Sequence, residues 1–224
     1  KETKEYDMAI NQYKMAIKYK PNYAKAYMNI GAIFQDKKDY DNSLFYYNKA
    51  VGIEPDYLEA YNNIGKLYFI IGLRNKSLSY YKKCVSLNPK SVESLNNMGI
   101  AYLALGELEL SIKYFSDALK LNPYYLNAAW NLCGTSKNIT EARKNLESCI
   151  SIDPKFDKAN FTYSAIDYYE GKKENFITFA KGAKKDHPYI RSFKWVFDLP
   201  FLPKLFFHKW ALFDYVIERS EIDR

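Results

Sequence analysis

Four asparagines, Asn29, Asn63, Asn97 and Asn131, stand 34 residues apart by subtraction of their numbers. A side-chain amide carries a donor and an acceptor together. It can pair with both the N–H and the C=O of an extended backbone, so a row of amides could hold a peptide by its main chain. Little other chemistry is legible. The two histidines, His187 and His208, have no cysteine or histidine at metal-ligand spacing. No Gly-x-Gly-x-x-Gly or phosphate-loop pattern occurs. Acidic residues are spread over solvated helix positions. No catalytic residue, metal ligand or cofactor-binding residue is assigned, and neither enzyme activity within these residues nor a cofactor is expected.

The elements that must position the amides share the same period. Pro21, Pro55, Pro89 and Pro123 lie 34 residues apart, as do Gly31, Gly65 and Gly99. A fixed period of this length marks stacked copies of one supersecondary unit. Within Ala24–Pro55, Ala26, Tyr27, Ile30, Ile33 and Phe34 recur at helical spacing. After the polar break Gln35–Asp39, Tyr40, Leu44, Tyr47, Ala50, Val51 and Ile53 form a second stripe. Pro55 cannot continue that helix, and it pushes Glu54 toward extended geometry. The unit is a helix pair, and the chain is read as all-α, an α-solenoid. Glycine costs about 1 kcal/mol relative to alanine mid-helix, so Gly31, Gly65 and Gly99 imply close approach of the paired helix. Ala50, Cys84, Ala118 and Cys149 keep a second register small. Gly72 and Gly106 fall in the turn within the pair, where Lys38 holds the equivalent place.

Composition agrees with a solenoid and narrows the partners. The net charge of +7 is modest for 224 residues, and lysines are interleaved with Asp and Glu. A nucleic-acid binder would gather its cations on one face, so nucleic acid is not expected. The longest apolar run, Leu67–Leu73, is too short to span a bilayer, and no membrane role is expected. The three cysteines, Cys84, Cys133 and Cys149, form no Cys-x-x-Cys pair. They read as small packing residues in a reducing compartment, and a cytoplasmic location follows. Tyr6, Ala9, Tyr13 and Ala16 occupy second-helix places without a preceding first helix, which suggests a piece of a longer protein.

These places resemble the tetratricopeptide repeat. Small residues stand at the eighth, twentieth and twenty-seventh places, aromatics at the eleventh and twenty-fourth, and a proline closes the unit. The first full copy carries Gly31, Phe34, Ser43, Tyr47, Ala50 and Pro55. The second carries Gly65, Tyr68, Ser77, Tyr81, Cys84 and Pro89, and the third Gly99, Tyr102, Ser111, Phe115, Ala118 and Pro123. The resemblance implies a right-handed superhelix of helix-turn-helix units. The expected divisions are 1–21 (the second helix of a truncated repeat), then repeats at 22–55, 56–89 and 90–123. A shortened repeat at 124–154 and a degenerate one at 155–186 follow. Residues 187–224 are an aromatic-rich helical C-terminal cap or a linker to a following domain. Lys209–Tyr215 weakly resembles segments that precede sugar O-methyltransferase-like domains.

The asparagine series resembles the ladder in the repeat domain of O-linked N-acetylglucosamine transferase, which holds peptides by their main chain. The resemblance implies that the first helices line a concave groove. Beside Asn29, Asn63, Asn97 and Asn131, the expected groove residues are Lys25, Asn62, Lys66, Phe69, Asn96 and Ile100. Met28, Ala32, Glu93 and Asn97 stand where a clamp for acidic tails would need cations, which disfavours that ligand. The expected function is a protein-interaction scaffold that binds an extended segment in the groove. The alternative is a substrate-recruiting N-terminal arm of a larger glycosyl- or methyltransferase-like enzyme. The amides could instead bond to neighbouring helices and stabilise the stack. Self-association through repeat ends is a further possibility.

Overall fold

Why each helix stops where it does is written in the residues that flank it. Asp39, Ser91 and Asn138 accept the backbone N–H of Asn42, Ser94 and Glu141 at 3.2, 3.2 and 2.9 Å. Each bond satisfies an N–H that a helix start leaves without a partner. At the other end Glu54, Asn88 and Asp153, each preceding a proline, are extended at φ −127°, −140° and −137°. The helix cannot pass through them.

The computed structural model describes residues 2–172 and 174. Among them every regular element is an α-helix: α1 (Glu2–Tyr19), α2 (Ala24–Asp36), α3 (Tyr40–Ile53), α4 (Leu58–Ile70), α5 (Arg74–Leu87), α6 (Val92–Ala104), α7 (Leu108–Leu121), α8 (Leu126–Cys133), α9 (Ile139–Ile152) and α10 (Asp157–Tyr169). The C-terminal cap expected at 187–224, both histidines and the end of the degenerate repeat lie outside the described residues. The chain divides into two compact units, Lys1–Leu121 and Asn122–Arg224.

In the first unit α2 packs on α3, α4 on α5 and α6 on α7. Each second helix also packs on the next first helix, α3 on α4 and α5 on α6, and α1 covers α2. This is the α-solenoid arrangement, in which a pair buries its apolar stripe against its neighbours. Close approach inside each pair has a single cause. A Cβ built on Gly31, Gly65 or Gly99 would stand 2.6, 2.6 or 2.5 Å from the ring of Tyr47, Tyr81 or Phe115. The glycines are the space those buried rings occupy. Burial pushes the phenols of Tyr47 and Tyr81 up to about 12.

The turn within each pair of the first unit requires one left-handed residue, and Gly171 after α10 repeats it. Gly72, Gly106 and Gly171 take φ values of 84°, 82° and 89°, and Lys38 takes 60°. A side chain in this region costs roughly 1–2 kcal/mol, offset in part by the freedom glycine gains when unfolded. Lys38→Gly is therefore expected to stabilise the first unit by about 0.5–1 kcal/mol. A raised thermal midpoint by circular dichroism would show it, and an unchanged or lowered midpoint would refute it.

The second unit begins with a clipped helix. α8 has 8 residues where α2, α4 and α6 each have 13. The Leu132 carbonyl at its end accepts from Thr135 Oγ1 at 2.8 Å and from Asn145 Nδ2 at 3.4 Å. Asn145 also donates to Ser136 Oγ at 3.1 Å. Those bonds replace the missing last turn. Cys133 stands at the glycine place of this pair, and Leu146 stands where the other pairs carry a ring, both fully buried.

Between α9 and α10, Arg143 joins two acids. Its Nη1 lies 2.8 Å from Asp167 Oδ1 and its Nη2 2.8 Å from Glu170 Oε2. The guanidinium covers the Tyr163 ring at 4.6 Å from the centroid. Burial opposes the arginine charge, yet the bonds to Tyr163 and Asp167 raise its pKa above the ordinary value.

Candidate functional site

The amide series divides by its surroundings. Asn29, Asn63 and Asn97 lie on α2, α4 and α6, one per first helix of the first unit, and all three are half-buried. Asn63 Nδ2 donates to Met28 Sδ at 3.4 Å. A thioether is a weak acceptor, so this bond is readily exchanged for a carbonyl. Among the described residues the amides of Asn29 and Asn97 make no side-chain hydrogen bond. Asn131 is half-buried on α8 of the second unit, where it has a partner of its own.

The neighbouring place on each first helix has a different role. Met28, Asn62 and Asn96 are only 3%, 5% and 3% exposed. Asn62 Nδ2 donates to Ser94 Oγ at 3.2 Å, and that hydroxyl is also 2.8 Å from Ser91 Oγ. Asn62 is thus bonded across α4 and α6, and Asn96 also has a bonding partner. The expectation that both face a groove is corrected: the fifth place of the repeat points into the stack. A buried amide must be satisfied internally, and Ser94, standing where Ala26 and Ala60 stand in earlier copies, satisfies Asn62.

Around the three amides the surface changes character along the stack. Lys25, Glu59, Lys66 and Glu93 are exposed, while Phe69 and Ile100 are half-buried. Ile70 and Leu103 are exposed large apolar residues, 47% and 36%. Gln35, at the end of α2, accepts from Tyr47 Oη at 3.1 Å and so belongs partly to packing. The first copy is polar, and the second and third are increasingly apolar.

One repeated feature escaped the sequence reading. Tyr46, Tyr80 and Tyr114 stack on Phe34, Tyr68 and Tyr102 at centroid distances of 5.4, 5.3 and 5.4 Å. Tyr46 and Tyr80 also tilt against Tyr27 and Tyr61. Their identical type at the 34-residue period was the available signal. Burial pushes the Tyr80 and Tyr114 phenols up. Among the described residues no group of three or more His, Cys, Asp and Glu could hold a metal ion. No helix among them is long and apolar enough to cross a membrane.

Three successive helix pairs, each with one glycine–ring contact and one left-handed turn residue, define an α-solenoid repeat protein. The chain belongs to the tetratricopeptide repeat family. Residues 24–57, 58–91, 92–125 and 123–156 each match a tetratricopeptide repeat, and residues 1–38 match a TPR repeat. Its class is that of a protein-interaction scaffold. No curated protein matches the chain. Among solved structures, MamA protein is 26% identical over 80% of this chain and 98% of that one, with a TM-score of 0.56. PilF of Pseudomonas aeruginosa is 14% identical over 84% of this chain and 86% of its own, with a TM-score of 0.68. YrrB, described as a TPR protein with an unusual peptide-binding site, is 18% identical over 78% and 93%, with a TM-score of 0.55. The likeness to PilF and YrrB is one of fold.

Proposed function

We propose that the first unit binds an extended protein segment along α2, α4 and α6 through the amides of Asn29, Asn63 and Asn97. The observation that carries this reading is that one half-buried amide recurs on each first helix without a strong internal acceptor. Each amide offers a donor and an acceptor to the ligand backbone. Side-chain selection falls to Lys25 and Lys66 for charge and to Phe69 and Ile100 for apolar contact. The preferred segment is polar where it meets the first copy and apolar where it meets the second and third. Asn131 holds the equivalent place on α8 of the second unit, where it has a bonding partner of its own. Asn62 contributes by holding α4 to α6. The peptide-binding site of YrrB, whose fold this chain shares, supports a peptide as the ligand class. The scaffold acts without catalysis, and its free thiols fit a cytoplasmic location.

A peptide selected from a random display library against the full chain supplies the probe. Each lost amide bond is worth about 0.5–1.5 kcal/mol. Asn63→Ala with Asn97→Ala is therefore expected to weaken binding roughly 5–100-fold, with no loss of thermal midpoint. Asn62→Ala is the contrast: it removes the buried bond that joins α4 to α6 through Ser94 and is expected to lower the midpoint. Unchanged affinity in the double variant, or a midpoint that falls with it as in Asn62→Ala, would return these amides to a packing role.

A further inference from the structure

Two of the three cysteines are neighbours. Cys133, the last residue of α8, and Cys149 on α9 are 16 residues apart in sequence, yet their sulfurs stand 3.9 Å from each other in the second unit. Both are fully buried. Cys84 lies in the other unit, its sulfur 3.8 Å from the Leu58 carbonyl oxygen. The packing explanation accounts for small residues at both places, since the earlier copies use Gly31 with Ala50 and Gly99 with Ala118. It does not account for sulfur at both places in one copy.

We propose that Cys133 and Cys149 are a reversible dithiol–disulfide site that ties the clipped helix α8 to α9. A disulfide needs its sulfurs at about 2.05 Å with β-carbons near 3.8 Å. Two adjacent thiols in contact reach that geometry by side-chain rotation and a small shift of α8. The short helix is the element able to move. Two turns are far fewer than an isolated helix needs to persist, so α8 opens locally at less cost than the longer helices. Opening admits a small aliphatic disulfide to sulfurs that the closed fold excludes.

The two thiols are unequal. Either sulfur can donate in the contact they share; with Cys133 as donor, that bond raises Cys133 above the ordinary thiol range and lowers Cys149 below it. In that arrangement Cys149 is the attacking thiolate. Its sulfur attacks one sulfur of the external disulfide, the external S–S bond breaks, and one external thiolate leaves and takes a proton. Cys133, once deprotonated, attacks the Cys149 sulfur of the mixed disulfide and displaces the second external thiol. The protein loses two electrons and two protons, and the external disulfide gains both as two thiols.

The test uses the full chain in buffers of reduced and oxidised glutathione at increasingly oxidising ratios. Samples are acid-quenched, unfolded and assayed for thiols and intact mass. The expected result is a fall from three thiols to one, a loss of two hydrogen masses, and full recovery on return to reduced glutathione. Cys133→Ala is expected to stop at one glutathione adduct on Cys149. Tryptic mapping of the wild type needs no variant to fold. Lys137, Arg143 and Lys144 separate the two cysteines, so the disulfide appears as a linked peptide pair that divides on reduction. Three thiols at every ratio, or a linkage involving Cys84, would overturn the proposal.

Discussion

Arg143→Ala is expected to destabilise the second unit by about 3 kcal/mol. The Asp167 side chain is 4% exposed and that of Arg143 19%, so water cannot replace the guanidinium beside the acid. Removing one partner of a buried pair takes away the charge that best offsets the other's desolvation cost. Glu170 also loses its contact with the Arg143 Nη2, although Lys172 remains 3.3 Å away. Arg143→Lys keeps a charge but not the two-pronged geometry, and an intermediate loss is expected. Hydrogen exchange of the α9 and α10 amides reads the effect within the unit. Protection unchanged in Arg143→Ala would show that the pair is merely superficial.

Gly65→Ala is expected to cost the first unit up to about 2 kcal/mol, against the usual gain from replacing a helical glycine. That gain is about 1 kcal/mol. Opposing it, the new methyl would stand 2.6 Å from Cε1 and 2.8 Å from Cδ1 of Tyr81, whose side chain is almost wholly buried. Overpacking of this kind costs about 1–3 kcal/mol, and here it involves the body of a ring that has no free space to enter. The second unit shows the complementary solution, with Cys133 in the glycine place and Leu146 in the ring place. Gly65→Ala combined with Tyr81→Leu should accordingly cost less than the sum of the two single changes, as neighbouring sites couple. Denaturant unfolding of the four proteins in the cycle measures the coupling. Strict additivity would mean that the ring does not set the size of the glycine place.

Much of the architecture was readable because it depends on short-range rules. Prolines one period apart stop the second helices, and the preceding Glu54 and Asn88 are extended as Pro55 and Pro89 require. Gly72 and Gly106 occupy the left-handed turn place, and Lys38 tolerates it at a cost. The clipping of the fourth copy was also readable, as a shortened interval between Pro123 and Pro154. How Thr135 and Asn145 repair the clipped end was not, since Asn145 reaches Leu132 from another helix.

The candidate site was less legible. A period identifies equivalent places in successive copies, but it does not say which of two adjacent places meets the next helix. Consecutive helical residues differ in direction by about 100°. Asn62 and Asn63 look alike in sequence, yet one is 5% exposed and bonded to Ser94 and the other is half-buried beside a methionine sulfur. The same limit hid the Arg143 network, whose partners come from α10, and the approach of Cys133 to Cys149.

By itself, the sequence determined a helical repeat, its unit length, the residue that ends each second helix and the small residues at which the helices meet. These follow from backbone sterics and from periodicity, which act within a few turns of chain. Only the tertiary structure decided which amide is enclosed, which ring fills the space over each glycine, and which charges and sulfurs become neighbours. Those outcomes depend on the rotation and spacing of one helix against another, set by the packing of all the side chains between them.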